Sequence, residues 1–138
     1  MLFRSIEMVF GDWDDSYKKL PRFMAALKKY NPGTVVEWRR NPTDTRNVMK
    51  FQYLFLAFQP SIDGFMHCRP VICIDGTHIN GKYKEKILVA MGINADNKIF
   101  SLAFAIIDEE TLASWSWFLR NLSTHVVQGR QGICLISD

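Results

Sequence analysis

One helical stretch divides the C-terminal half of the chain into three apolar runs before it and one after it, and that order restricts the sheet these runs can build. Val71 to Asp75, Ile87 to Ile93 and Ile99 to Ile107 read as strands, short and rich in β-branched residues, with the turn-forming NADNK between the second and third. Thr111 to Val127 reads as a helix, carrying Leu112, Trp115, Phe118, Leu119, Leu122 and Val126 on one side. Ile133 to Ile136, within GICLISD, is a fourth short strand. The first three strands are spaced for a meander, whereas the helix supplies the long connection that a parallel neighbour requires. A right-handed crossover then lays the fourth strand beside the first and parallel to it. The expected class is α/β, a mixed sheet in the order β-β-β-α-β.

Two of these strands run into a carboxylate. VICIDGTH carries Asp75 after its apolar run, and ICLISD carries Asp138 after its own. Parallel neighbours lie ~4.8 Å apart, so the two carboxylates are expected side by side at the C-terminal strand ends. Open α/β sheets bind ligands at this rim. Two close carboxylates repel unless a cation sits between them, and hard oxygen donors at an open rim suit Mg²⁺ or Mn²⁺. A pair of such ions activates an attacking hydroxyl and stabilises the leaving oxygen in phosphodiester displacement. Against this stands a plainer reading. Asp-Gly is a common turn pair, in which Asp75 only accepts hydrogen bonds from the turn that follows, and Asp138 is the last residue of the sequence.

The first half of the chain has a different pattern. DDSYKKLPRFMAALKKY, residues 14 to 30, spaces Tyr17, Leu20, Met24, Leu27 and Tyr30 for an amphipathic helix. Pro21 suits a first turn, which predicts an ordered helix from near Leu20, and NPGT ends it. Val35 to Arg39 and Lys50 to Phe58 are expected to pair as antiparallel strands across the polar RNPTDTRN. PSIDGFMHCRP reads as a connector. The expected division is an N-terminal helix and strand-pair appendage over residues 1–69, followed by a core over 70–138.

No run approaches the ~18 apolar residues of a membrane span, and MLFRSIEMVFGDWDD lacks the pattern of a secretory signal, so an intracellular protein without a membrane partner is expected. The three cysteines, Cys68, Cys73 and Cys134, form no CxxC pair. Cys73 and Cys134 lie in apolar runs where a small buried side chain serves, and His67 beside Cys68 does not make a zinc site. Residues 1–69 hold 11 Lys and Arg against 7 Asp and Glu, and residues 70–138 hold 6 against 7. This basic excess is too small to establish a nucleic-acid partner by itself.

The combination of DGTH with GKY, LAFAI with SWSWFL, and the closing ISD resembles the catalytic core of plant-type Mutator-like element (MULE) transposases. DSYKKLPRFMAALKKYNPGT resembles the helical segment that precedes that core. The resemblance spans about Asp14 to Asp138. It implies a DDE-type transposase with a ribonuclease H-like sheet, truncated here after the fourth strand, with Asp75 and Asp138 as the first and second catalytic acids and Mg²⁺ or Mn²⁺ as cofactor. The family's third acid, a Glu on a later helix, falls beyond residue 138. Asp108, Glu109 and Glu110 precede the crossover helix and are not assigned that role. Thr77 and His78 match family positions beside the first acid and are candidates for supporting it or contacting substrate, with stabilisation of a turn as the simpler account. Lys82, Lys84 and Lys86 are candidates for phosphate contact, with a solvated charged hairpin as the simpler account. Trp115 and Trp117 match as well and are read as structural.

The resemblance further implies DNA as partner, at element ends and target, and a nuclear location. With two acids and weak metal binding, the chain alone is expected to be inactive. The alternative from another class is a transposase-derived nuclear DNA-binding or regulatory module without catalysis. A sheet face left uncovered after Asp138 also implies self-association.

Overall fold

The computed structural model describes residues 13–40, 51–78 and 85–137, with side chains described for 19–39, 52–77 and 85–137. Helix α1 (Trp13–Tyr30) leads into strand β1 (Val35–Arg40), and β2 (Phe51–Ala57) into the short helix α2 (Gln59–Phe65). Strands β3 (Val71–His78), β4 (Lys86–Ile93) and β5 (Ile99–Ile107) follow. Helix α3 (Leu112–Leu122) continues as a π-helical turn (Ser123–Val127), and β6 (Cys134–Ser137) comes last. All six strands form one mixed sheet in the order β1-β2-β5-β4-β3-β6.

The crossover expectation is met: β3 and β4, and β4 and β5, pair antiparallel, while β6 pairs parallel with β3. The expected antiparallel pairing of β1 with β2 is also present, and β2 bonds to β5, so both halves of the chain contribute to the same sheet. At the β4–β5 turn, Asn94 Oδ1 accepts from the backbone N–H groups of Asp96 and Lys98, which is why this Asn-rich stretch closes a hairpin.

Alternation along the strands sorts side chains onto two faces. Tyr53, Phe55, Ile72, Ile74, Leu88, Ala90, Leu102 and Ile107 pack beneath α2, α3 and the π turn, against Ile62, Phe65, Phe118, Leu122 and Val126. Leu54, Leu56, Ile87 and Ile106 face the other way and meet Leu20 and Met24 of α1. A cavity of about 140 Å³ remains between α1 and the sheet, lined by Phe23, Met24, Leu27, Leu54, Phe104 and Ile106 among others.

Helix α1 begins at Trp13, earlier than the start near Leu20 that Pro21 suggested. A proline inside a helix forfeits one backbone hydrogen bond, a cost of ~3 kcal/mol. Burial of Leu20 and Met24 against the sheet helps to offset it. Gly33, at φ +84°, ends the run that follows α1, and the side chain of Gln59 occupies the space where its Cβ would sit.

The segment read as a plain connector holds α2, whose Ile62 and Phe65 are buried and whose second residue is Pro60. Gly64 lets the Phe100 ring lie directly on this helix, since a Cβ there would stand 2.5 Å from the ring. Arg130, just after the π turn, donates to the carbonyls of Phe65 (2.8 Å) and Cys68 (2.9 Å) and lies over the Phe65 ring. The Phe65 carbonyl also accepts from Cys68 N–H at 2.9 Å, so a distant part of the chain reinforces the turn that ends α2.

Helix α3 opens on a reciprocal capping box. Ser114 N–H donates to Thr111 Oγ1 (3.1 Å) and Thr111 N–H donates to Ser114 Oγ (2.9 Å). This turns Ser114 fully into the core. Leu112, two residues earlier and so about 200° away around the helix, is turned outward, and it is 86 % exposed where the sequence predicts burial.

Candidate functional site

Asp75 does not end its strand. Strand β3 continues for three residues beyond it, through Gly76↔Leu88, Thr77↔Ile87 and His78↔Lys86, and Asp75 itself pairs with Val89. The Asp-Gly pair is therefore ladder, and the turn reading of Asp75 and Gly76 is corrected. Gly76 has the local role of passing over Leu88, whose Cδ2 would lie 3.3 Å from a Cβ at that position.

Ile72 and Ile74 lie on the face covered by α2 and α3, so Cys73, Asp75 and Thr77 lie on the opposite one. Helix α1 covers that face over β2, β5 and part of β4, through Leu54, Leu56, Ile106 and Ile87. Asp75 and Thr77 are exposed. The carboxylate thus stands on an open sheet surface, two strand positions from the Thr77 hydroxyl.

Along the parallel pair, Val71↔Cys134, Ile72↔Leu135, Cys73↔Ile136 and Ile74↔Ser137 are opposite each other. Asp138 lies outside the described residues, as do Lys82, Lys84 and the side chain of His78. Among the described residues, no three His, Cys, Asp or Glu side chains are gathered closely enough to hold a metal ion.

Lys86 is described, and it is separated from Asp75 by the sheet. It shares the face of Leu88, two residues on, and pairs with Glu110, which also accepts from the Trp115 indole N–H at 3.0 Å. Glu110 thereby ties the start of β4 to the first turns of α3. Trp115 and Trp117 pack as the sequence predicts: both are half-buried against the core, and Trp117 stacks on Tyr53 at 5.3 Å between ring centres. Glu85, immediately before β4, buries Oε2 without a hydrogen-bond partner among the described residues. Nothing in the surrounding KYKEK distinguishes it from a solvated charge.

The cysteines divide. Cys68 is buried, its thiol donates to the Gly64 carbonyl, and burial pushes its pKa up while the nearby Arg130 guanidinium acts in the other direction. Cys73 is half-buried, whereas Cys134 is exposed, contrary to the core position expected from its apolar run. The reason is the place of β6 at the sheet margin, where all four of its residues are exposed.

A three-strand meander, a helical crossover and a fourth strand returned parallel to the first carry the DGTH and CLIS segments onto neighbouring strands. Residues 71–138 match the family model of the MULE transposase domain. The match begins with β3, so the MULE-like segment comprises β3 to β6 with α3, just under half of the chain. No curated protein and no solved structure matches the chain. No helix among the described residues is long and apolar enough to cross a membrane.

Proposed function

We propose that the MULE-matching segment is the catalytic portion of a DDE-type transposase on a ribonuclease H-like sheet, with Asp75 and Asp138 as its first two acids. The observation that carries this reading is the parallel register of β3 and β6, which reaches Ile74↔Ser137. The reading extends that register by one residue, to an Asp75 and Asp138 pair, and partners in a parallel pair project to the same face. That face is open at Asp75.

The donor set fits a hard divalent cation. Two carboxylates on an exposed face offer oxygen ligands and leave the remaining positions to water and phosphate oxygens, which suits Mg²⁺ or Mn²⁺ and not zinc. When bound, the ion supplies Lewis-acid polarisation of a phosphodiester and a lowered pKa for its water. Asp75 is held by its ladder pairing with Val89 of β4, which limits the reorganisation needed to present its charge. Thr77, on the same face, is the candidate to support it in this reading. DNA is the substrate class and the nucleus the compartment in this reading.

Two carboxylates without an assigned third give weak ion binding. The 138-residue chain by itself is therefore expected neither to cleave nor to join DNA. Titration with Mn²⁺ followed by paramagnetic line broadening tests the site. Broadening centred on residues 73–77 and 136–138, lost in Asp75→Asn, is the expected result; broadening elsewhere refutes the paired-acid site. Metal-dependent nicking by the purified chain, absent in Asp75→Asn, would show that another acid completes the set.

A further inference from the structure

Helix α1 lies on the same sheet face as Asp75 and close beside it. Asp75 pairs with Val89, and Val89 packs against the cluster in which Leu20 and Met24 of α1 meet the sheet. One strand spacing, ~4.8 Å, thus separates the β3 acid from ground that the helix covers. A helix with its side chains is ~10 Å across, so α1 stands as a ridge of about that height beside the open surface.

The outer side of this ridge is basic. Residues 16–36 hold five Lys and Arg and no Asp or Glu. With 3.6 residues per turn, Leu20, Met24 and Leu27 fall on the side toward the sheet, whereas Lys19, Arg22 and Lys29 line the opposite side, with Lys28 on a flank. All four are exposed. Lys86 is paired with Glu110, Arg39 lies over Tyr53 and Arg130 donates to backbone carbonyls, but none of the four α1 cations meets a carboxylate among the described residues. Tyr30, 75 % exposed, adds a phenol at the end of the stripe. The chain leading into α3, on the other face, is acidic instead, with Asp108, Glu109 and Glu110 in succession.

We infer that the outer side of α1 is a contact surface for the DNA backbone, along which the phosphates of a duplex seated at Asp75 run. The seat at Asp75 rests on the function proposed above; the surface rests on the charge of α1. Charge complementarity selects the partner. Lys19 to Tyr30 span ~16 Å, over which one strand of DNA presents about five phosphates. A carboxylate on the open face repels a polyanion, and the unpaired cations on the adjoining ridge supply the attraction that the acid lacks. Contacts of this kind hold and orient DNA without reading its sequence.

Fluorescence anisotropy of a labelled DNA duplex of mixed sequence, titrated with the purified chain in EDTA over a range of salt, is the test, since it needs neither bound metal nor catalysis. Lys19→Gln, Arg22→Gln and Lys29→Gln combined should weaken binding at least tenfold and reduce the slope of log affinity against log salt by about 2.7, the share of three phosphate contacts. Glutamine is a good helix former, and unchanged far-UV circular dichroism shows that α1 is kept. If that combination loses helix, Lys28→Gln with Lys29→Gln gives the same readout from two contacts. Removing equal charge elsewhere, with Arg69→Gln, Lys98→Gln and Arg120→Gln combined, should leave the slope nearly as it is. No binding by the wild type, equal losses in the two combinations, no loss in the first, or tighter binding of an RNA duplex overturns the inference. Asp75→Lys should tighten binding by more than Asp63→Lys, on α2, does. If those two are alike while the α1 combination loses binding, the surface on α1 stands and the reading of Asp75 as an acid acting on DNA is what fails.

Discussion

Beneath α2 and α3 the sheet contributes Phe55, Ile72, Leu88 and Leu102, all but wholly buried, whereas on the opposite face β3 and β6 present Asp75, Thr77 and Ile136 to solvent. One β3 strand serves both faces, alternating Ile72 and Ile74 inward with Cys73 and Asp75 outward. The difference teaches where stability and chemistry are kept apart. The closed face holds the strands at fixed spacing, so the open face can carry a charge that contributes little to folding.

The largest effect should come from the closed face. Phe118 is fully buried and packs on Phe55 at 5.9 Å between ring centres. Phe118→Ala should therefore cost about 3–5 kcal/mol in denaturant unfolding. A cost as small as that of a surface change would mean that the face is loosely packed. Gly64→Ala should cost about 1–3 kcal/mol, because the Phe100 ring must move from its place against α2. A neutral Gly64→Ala would show that the ring shifts freely. Ser114→Ala removes half of the capping box and leaves the Thr111 N–H without its partner, at about 1 kcal/mol, measurable as a lowered melting temperature.

On the open face, Asp75→Asn should change stability by no more than about 0.5 kcal/mol in either direction. A larger loss would make Asp75 a structural residue and weaken its assignment to chemistry. The cysteines sharpen the same contrast kinetically. A thiol reagent should modify Cys134 quickly and Cys68 only on unfolding. Because the folded state holds the Cys68 proton more tightly than the unfolded chain, its contribution to stability is full below the ordinary thiol range and is lost as pH rises through and above it.

Much of the sheet was legible because its strands are short, β-branched and separated by strong turn residues, as in Ile87 to Ile93, NADNK and Ile99 to Ile107. The parallel return of β6 followed from the crossover length alone. What escaped depends on contacts distant in sequence. Gly76 looks like a turn residue until Leu88 is seen beneath it. Helix α2 is too short for a periodic signal, and its end is reinforced by Arg130, 65 residues from Phe65. Leu112 fits the apolar stripe by spacing, yet the cap rotates Ser114 into the core in its place. Cys134 fits a buried run, but burial needs a neighbour on each side, and among the described residues β6 has one. Of the candidate site, Asp75 and Thr77 share a face, and Lys86 belongs to the other.

The pairing of β3 with β6 also sets an order of events in folding. Val71 and Cys134 are opposite each other although 63 residues separate them, while β3–β4 and β4–β5 close across short loops. Contacts between near neighbours along the chain pay little loop-closure entropy and form early, whereas a parallel closure must wait until its crossover has docked. The meander should therefore acquire amide protection first and β6 last. In that sequence Asp75 stands on a formed ladder before β6 arrives, and β3 and β6 become neighbours only as folding is completed.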